Sequence, residues 1–334
     1  MKLNPTLKWI FLSLTACLLA YLGLMVQYVN KTILLPNNRQ IIYTLPPKAT
    51  ILQVGLQLQK LGVIQHPHMW AFYAWLKGDS KLIKAGDYQM LIWDTPHKIL
   101  VRMVEGRFYL YRLLIVEGWT FSQMLKAIET DPMIKQTFIC STPLCVMVKL
   151  NIGYLQPEGE FFPDTYMFTR GTPDSMILRK AFNLMQERLG RAWLHRLPGL
   201  PYKRPYEALI VASMIEKETQ AEVDRPLIAG VILRRLKINM LLQVDPTVSY
   251  GLNQMGKSGK LDGGALRVKS PYNTYVNHGL PPTPICLPGL LSIQAALHPI
   301  DTGALFYVAC GGGRHCFSAT YKEHEAKVRK YLHK

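Results

Sequence analysis

The sequence predicts an α+β protein with one N-terminal transmembrane helix, a small α+β module and a larger domain of mixed α/β character. Three observations support this prediction. An uncharged apolar run lies near the N-terminus, helical and strand-like patterns alternate after it, and long helical patterns separated by Pro- and Gly-rich loops fill the second half. The chain has 334 residues, of which 49% are hydrophobic, so about two globular domains can form beyond an anchor.

The apolar run "WIFLSLTACLLAYLGLMVQYV", residues 9–29, carries no charge and is long enough to cross a bilayer. Lys2 and Lys8 precede it, but Lys31 and Arg39 follow it, so the positive-inside bias is slight. We therefore expect residues 1–8 to be cytoplasmic and residues 30–40 to connect the span to a chain that lies outside the cytoplasm.

Two other interpretations of this run are weaker. A cleaved signal peptide requires a shorter apolar region and a small-residue cleavage site. The "LTAC" that ends at Cys17 resembles a lipidation site, but the apolar run continues well beyond it. Trp9 and Tyr28 lie where aromatic interface anchors are expected. These features favour an uncleaved single span.

The patterns after the span divide the chain into three segments. Residues 41–130 alternate between helices such as "TILQVGLQLQKLGVI" and strands such as "KAGDYQML", and "TFSQMLKAIET" is a helix capped by Thr120. Residues 131–150 contain Cys and Pro and are predicted to be a connector. Residues 151–334 form the larger domain, which ends in a predicted hairpin, "ALFYVACGGGRHCFSATY", and a basic helix.

The net charge of +17 indicates a polyanionic partner. Nucleic acid is disfavoured, because the sequence has no basic run with interleaved aromatics, no zinc-finger spacing and no ribonucleoprotein motif. An acidic membrane face or an anionic polymer outside the membrane remains.

None of the six cysteines forms a CxxC pair, which argues against a zinc site or a thioredoxin-like redox site. In an oxidising compartment Cys310 and Cys316 could close a hairpin, and Cys140 and Cys145 could close a small loop. Free buried thiols are the alternative.

The run "YEALIVASMIEKETQ" is a predicted helix that is apolar almost all the way round, yet it carries Glu216 and Glu218 near its end. At about 100° per residue the two carboxylates point about 200° apart, so we expect only one of them to face a given cleft. A carboxyl on an apolar wall loses solvation, and this raises its pKa toward the range of a general acid. The alternative is a pair of ordinary helix-end carboxylates, one of them bound to Arg234, Arg235 or Lys217.

Two later segments are rich in groups that bind sugars. "QVDPTVSYG", residues 243–251, is predicted to be a loop that brings an amide, a carboxylate, a hydroxyl and an aromatic ring together. "SPYNTYVNHGLPP" adds two aromatic rings, two amides and one imidazole, those of Tyr272, Tyr275, Asn273, Asn277 and His278. A rigid surface loop has the same composition. His278 and His315 lack partners at metal-ligand spacing, so no metal is expected.

The motifs "EGEFFPDTY", "ASMIEKET", "LQVDPTVSYG", "SPYNTY" and "GLPP", in this order behind one membrane span, closely resemble those of the bacterial endolytic murein transglycosylases. The resemblance covers essentially the whole chain. It implies that Glu218, the second Glu of "EKET", is the catalytic residue. It also implies a LysM-like peptidoglycan-binding fold on about residues 41–110 of the 41–130 module. The stretch "TPICLPG" departs from the family pattern at Thr283, Cys286 and Leu287, which affects one edge of the cleft.

The resemblance further implies an enzyme of the inner membrane whose catalytic part lies in the periplasm and which needs no cofactor. It would cut peptidoglycan strands internally between N-acetylmuramic acid and N-acetylglucosamine, leave 1,6-anhydro-N-acetylmuramic acid ends, and so limit the length of nascent strands. Cell-wall synthases are partners by resemblance alone. The substrate-binding residues expected are Gln243, Asp245, Thr247, Tyr250, Tyr272, Asn273, Tyr275, Glu158 and Asp164.

Two other functions stay open. A hydrolytic muramidase would use Asp245 or Glu158 as a second carboxylate and would leave reducing ends. A membrane-anchored scaffold would bind the wall without forming any product.

Overall fold

The computed structural model describes residues 5–35, 40–138, 140, 142–153, 156–257 and 262–331. It confirms the predicted α+β class and the N-terminal apolar helix. The elements, in chain order, are α1 Pro5–Asn30, β1 Ile41–Leu45, α2 Ile51–Lys60, α3 Pro67–Leu76, β2 Gly86–Met90, α4 Pro96–Glu105, β3 Tyr111–Leu114, α5 Phe121–Thr130, α6 Pro143–Lys149, β4 Thr165–Phe168, α7 Asp174–Leu194, α8 Pro205–Glu218, α9 Arg225–Lys237, α10 Asp245–Gln254, α11 Leu290–Leu297, β5 Phe306–Gly311, β6 Arg314–Ser318 and α12 Tyr321–Tyr331.

The strands of the described residues pair two by two, as β1 with β2, β3 with β4 and β5 with β6. The first and last pairs are antiparallel, with Tyr43 opposite Tyr88 in one and Val308 opposite Cys316 in the other. Helix α1 contains a candidate membrane span, Thr6–Asn30, which includes the predicted 9–29 segment.

The chain divides into two compact units. Unit 1 consists of residues 1–111 and 168–170, and unit 2 consists of residues 112–167 and 171–334. Residues 112–130, which the sequence patterns grouped with the first module, therefore belong to unit 2. The cause is long-range packing, since Phe121 of α5 contacts the ring of Phe161 at 5.2 Å between centroids.

Unit 1 is built on helices α2–α4 and the β1–β2 pair. Trp70 and Tyr88 are fully buried in its core. Arg102 holds the buried Asp94 carboxylate at 2.6 Å. Thr50 and Gln53 form a capping box at the start of α2, as Thr120 and Gln123 do at the start of α5 in unit 2, which confirms the predicted Thr120 cap.

Helices α7, α8, α9 and α11 surround the core of unit 2. The middle of α8, residues 208–215, is buried throughout, in keeping with its continuous apolar sequence. Gly230 of α9 lies against the carbonyl of Ile300, where an added Cβ would come within 2.1 Å of the oxygen, so only glycine fits there.

Two predicted irregular segments contain helices. The predicted loop 243–251 is wrong from Asp245 onward, because α10 begins at that residue. Pro246 lies in the first turn, where its missing N–H costs no helical hydrogen bond. The predicted connector 131–150 contains α6, whose first turn is capped by Thr142.

Candidate active site

Glu218 is the last residue of α8 and stands at the end of the buried helix. The next residue, Thr219, is extended, so the chain turns away at this point. The partly buried carboxyl of Glu218 therefore lies at the end of α8, in the wall of a cavity of unit 2.

This first cavity has a volume of about 530 Å³. Its wall combines carboxylates, a guanidinium, an amide and several aromatic rings from six elements and two loops of unit 2. The lining residues are Glu218, Arg235, Gln243, Asp245, Tyr275, Phe306, Tyr307, Val308, Ala309, His315, Tyr321, His324 and Val328.

The surroundings of Glu218 favour its neutral form. Burial raises the pKa of Glu218 to about 7, and the charge of Asp245 acts in the same direction. A hydrogen bond from Tyr307 to the carboxylate opposes the rise. The carboxyl is therefore balanced between its acid and base forms near neutral pH.

Asp245, the second carboxyl of the cavity, also receives a hydrogen bond from a tyrosine. The Tyr275 hydroxyl donates to Asp245 Oδ1 at 2.5 Å. Asp245 also occupies the first turn of α10. The cavity therefore holds Glu218, whose pKa is raised, beside Asp245, which accepts a hydrogen bond from Tyr275.

Arg235, another residue of the cavity wall, binds several segments of the chain. Its guanidinium donates to the carbonyls of Leu305 at 2.7 Å and Leu242 at 2.7 Å and to Oε1 of Gln243 at 3.2 Å. Gln243 has a left-handed backbone (φ +52°), and its N–H donates to the Thr274 carbonyl at 3.1 Å. These bonds fix the segment that leads into α10.

The β5–β6 hairpin supplies Tyr307, and its tip is tied to the start of α9. The fully buried Asp224 accepts from Arg314 Nε at 2.8 Å and from the N–H of His315 at 2.7 Å. The predicted disulfide between Cys310 and Cys316 is present across the hairpin. The other predicted disulfide, Cys140–Cys145, is present as well.

The side chain of Glu216 projects from a different side of α8. It pairs with Arg225 at 2.9 Å and accepts from the N–H of Gly289 at 3.0 Å. The partner is thus Arg225, not Arg234, Arg235 or Lys217. Arg234 instead binds Asp301 at 2.8 Å. Glu216 is neutralised by its own cation, and it does not line the first cavity.

A second cavity, of about 510 Å³, lies at the same helix end. Glu216 and Glu218 both line it, which contradicts the expectation that they cannot share a cleft; the reason is that α8 stops there and the cavity passes round the helix end. Its lining residues are Val116, Glu117, Gly118, Trp119, Gln123, Glu216, Lys217, Glu218, Thr219 and Gln220.

The wall opposite α8 in this second cavity is held by backbone bonds. The N–H of Gly118 donates to the Leu287 carbonyl at 2.8 Å, and the N–H of Leu287 donates to the Trp119 carbonyl at 2.7 Å. Leu287 belongs to "TPICLPG", so the stretch that departs from the family pattern supports this wall. Burial and the charge of Glu216 raise the pKa of Glu117 beside it.

Of the predicted substrate-binding residues, Gln243, Asp245 and Tyr275 line the first cavity with Glu218. The other six are not among the described residues that line either cavity. The side chains of five of them make contacts inside unit 2, and that of the sixth, the exposed Asp164, is bonded to its neighbour in the chain. Glu158 accepts from Phe121 and Tyr250, Tyr272 bonds Thr283, Asn273 donates to Leu266 and Val268, Thr247 donates to Val244, and Asp164 accepts from Thr165.

Sequence reasoning missed several residues of the first cavity. Arg235 was considered only as a partner for a glutamate, and Tyr307 and Phe306 were treated only as part of a hairpin. Tyr321 and His324 come from the last helix, α12. The alternation of side chains along the hairpin strands was the one sequence signal that could have indicated Tyr307. This alternation does not tell which face of the hairpin lies against α8.

Comparisons with known proteins give the family of the chain. Residues 43–330 match the model of the YceG-like family. A Bacillus subtilis protein named endolytic murein transglycosylase is 30% identical over 86% of this chain and 84% of its own length. A Streptococcus pneumoniae protein of the same name is 26% identical over 89% of this chain but only 59% of its own length. The crystal structure of a yceG-like protein from Listeria monocytogenes superposes with a TM-score of 0.55 at 28% identity, covering 87% of this chain and 99% of the other. The chain belongs to the YceG-like family.

Proposed function

We propose that this protein is an endolytic murein transglycosylase, a lyase that cuts peptidoglycan glycan strands between N-acetylmuramic acid and N-acetylglucosamine. The observation that carries the proposal is the position of Glu218. Its carboxyl has a pKa of about 7 and lines two cavities at the end of a buried helix. Proteins named for this activity share the family and most of the chain length.

In the proposed reaction Glu218 acts first as an acid. Its proton passes to the glycosidic oxygen as the bond from that oxygen to C1 of the muramic acid breaks. The C6 hydroxyl of the same sugar attacks C1, and its proton returns to the Glu218 carboxylate. The products are a free N-acetylglucosamine hydroxyl and a 1,6-anhydro-N-acetylmuramic acid end, and no water is consumed.

One general acid–base suffices for this route because the nucleophile belongs to the substrate. Intramolecular attack replaces a positioned water and a second carboxylate. Asp245, which accepts a hydrogen bond from Tyr275, adds to the rise that burial causes in the pKa of Glu218, and its carboxylate would face the positive charge that develops at C1. Tyr307 orients the Glu218 carboxyl through its hydrogen bond.

Internal cutting requires that sugars bind on both sides of the bond that breaks. The two cavities meet this need, because Glu218 lines each of them. Aromatic and amide groups are available on either side, with Tyr275 and Gln243 in the first cavity and Trp119 and Gln220 in the second. Repeated internal cuts would limit the length of nascent strands.

The rest of the chain fits a wall enzyme. Helix α1 would anchor the protein in the inner membrane as a single span, with the catalytic unit in the periplasm, where the disulfides are stable. Residues 41–110 would be a LysM-like wall-binding module. Cell-wall synthases, which make the strands, would be partners.

The test is digestion of purified peptidoglycan by the full chain and by its Glu218→Gln variant, with products read by mass spectrometry. The wild type should yield fragments with anhydro ends, and Glu218→Gln should fold, bind the wall and yield none. Glu207→Gln, which changes the carboxylate in the first turn of the same helix, is the matched control and should remain active.

The same experiment separates the rival functions. Asp245 lines the first cavity with Glu218, so it is placed to serve as the second carboxylate of a hydrolase. Reducing ends would establish that reaction instead. Glu158 is less suited to this role, because Phe121 and Tyr250 already occupy its oxygens. Binding without product by the wild type would leave a wall-binding scaffold, and activity in folded Glu218→Gln would refute the role of this residue.

A further inference from the structure

Helix α1 has two parts that differ in their surroundings. The side chains of residues 6–21 are all exposed. The last turns pack on unit 1 through one side of the helix, which carries Leu22, Met25, Tyr28 and Val29. The Tyr28 hydroxyl accepts the N–H groups of Gln65 at 3.2 Å and His66 at 3.1 Å, so this contact is specific.

The part of α1 whose side chains are all exposed, residues 6–21, is too short to cross a bilayer alone. Residues 6–21 extend roughly 24 Å along the helix axis at 1.5 Å per residue. The hydrocarbon core of a bilayer is about 30 Å thick. If α1 spans the membrane, at least one of its packed turns must lie in the outer leaflet. The part of unit 1 beside that turn must then lie at the same depth.

The element beside that turn is α3. The ring of Phe72 lies 6.1 Å from the ring of Tyr21 and stacks on Trp75 at 5.7 Å. Trp75 is 64% exposed and Leu76 is 48% exposed. We call Phe72, Trp75 and Leu76 the α3 face.

The opposite side of α3 packs in the core of unit 1, where Trp70 and Ala74 are fully buried. A helix that is apolar on both sides needs two apolar environments. In water the α3 face would expose a tryptophan, a leucine and part of a phenylalanine next to the apolar surface of α1. Tryptophan is enriched at the boundary between acyl chains and headgroups. Lys77, at the end of α3, can extend toward the headgroups.

We propose that α3 lies in the outer-leaflet interface of the membrane, with the α3 face against lipid acyl chains. Unit 1 would then be held against the membrane by two contacts, α1 and the α3 face. The proposal depends on α1 being a membrane span, and it does not depend on the cleavage reaction.

The test uses the full chain reconstituted in vesicles of phosphatidylcholine brominated on the upper part of the acyl chains, which quench only tryptophans within the membrane. Emission lost on bromination is compared for the wild type, Trp75→Phe and Trp9→Phe. The quenched emission should be smaller in Trp75→Phe than in the wild type, because Trp75 contributes to it. Iodide in the aqueous phase gives the reciprocal readout, and Trp75 should be shielded from it.

Trp9→Phe tests the anchor separately. Quenching of Trp9 without quenching of Trp75, together with iodide access to Trp75, would show a spanning α1 and an α3 face in water, and would overturn the proposal. If neither tryptophan is quenched, α1 does not span and the proposal fails with it. The digestion of peptidoglycan would still test the proposed function independently, since its readout is the product.

Discussion

At the scale of single residues, the first cavity holds two carboxyls, Glu218 and Asp245, in different surroundings. Burial at the end of α8 raises the pKa of Glu218 to about 7. Asp245 receives a hydrogen bond from Tyr275, and its charge adds to the rise in the pKa of Glu218. The proposed cleavage depends on the raised pKa of Glu218.

The pH dependence of cleavage follows from the raised pKa of Glu218. Glu218 must be protonated to act, so kcat/KM should fall about tenfold per pH unit above about pH 7. In Asp245→Asn the negative charge that raises the pKa of Glu218 is gone, so the falling limb should move to lower pH. Rates on purified strands between about pH 5 and about pH 9 measure this. A limb that stays in place in Asp245→Asn would show that the two carboxyls are not coupled.

A second buried carboxyl, Glu158, stabilises the fold next to the site. Burial raises the pKa of Glu158 to about 7, and a hydrogen bond from Tyr250 of α10 counteracts the rise. The folded pKa lies above the unfolded one, so the stability that Glu158 contributes is full below about pH 4.5 and is lost as pH rises through about 7.

Tyr250→Phe removes the donor to Glu158. The cost should be about 1–3 kcal/mol when Glu158 is ionised and less when it is protonated. The free energy of unfolding should therefore fall more in this variant at pH 8 than at pH 6, and urea denaturation at both pH values measures the difference. Equal losses at the two pH values would mean that the hydroxyl acts through packing only.

At the scale of elements, the segment of residues 116–119 forms a wall of the second cavity, and two backbone bonds join it to Leu287. Local patterns found helix α8 and the β5–β6 hairpin, since burial on all sides and alternation are visible in short windows. They missed α10, because Pro and Gly density was taken as a sign of a loop, whereas Pro246 fits the first turn of a helix.

Trp119→Ala tests whether the second cavity binds sugars. The side chain lines that cavity, while its backbone bond to Leu287 is unaffected by the substitution. We expect kcat/KM on long strands to fall about tenfold, equivalent to about 1.4 kcal/mol of lost binding. Cleavage of long and short strands by the same preparation provides the control, since short strands that fill one side should be less affected. An equal loss on both would point to a disturbed Glu218.

At the scale of the whole molecule, the charge of +17 is the broadest property of the chain. Exposed Lys and Arg side chains attract an anionic wall polymer over distances that salt shortens. Binding of Glu218→Gln to insoluble peptidoglycan should therefore weaken steadily as NaCl is raised, and a pull-down without turnover measures it. Binding that does not respond to salt would assign recognition to the aromatic and amide groups alone.

The sequence by itself determined the α+β class, the apolar N-terminal helix, most helices, the hairpin with its disulfide and the carboxyl on a buried helix. These depend on periodicity, capping and short spacings, which are properties of neighbouring residues. The sequence did not determine which side chains share the cavity with Glu218. Tyr307 comes from a strand 89 residues further on, and Arg235 acts through the carbonyls of other segments. Thr247, Tyr250 and Asn273 lie in the expected segments but point into the fold. Only tertiary packing decides these directions, because contacts between distant segments form only when the core closes.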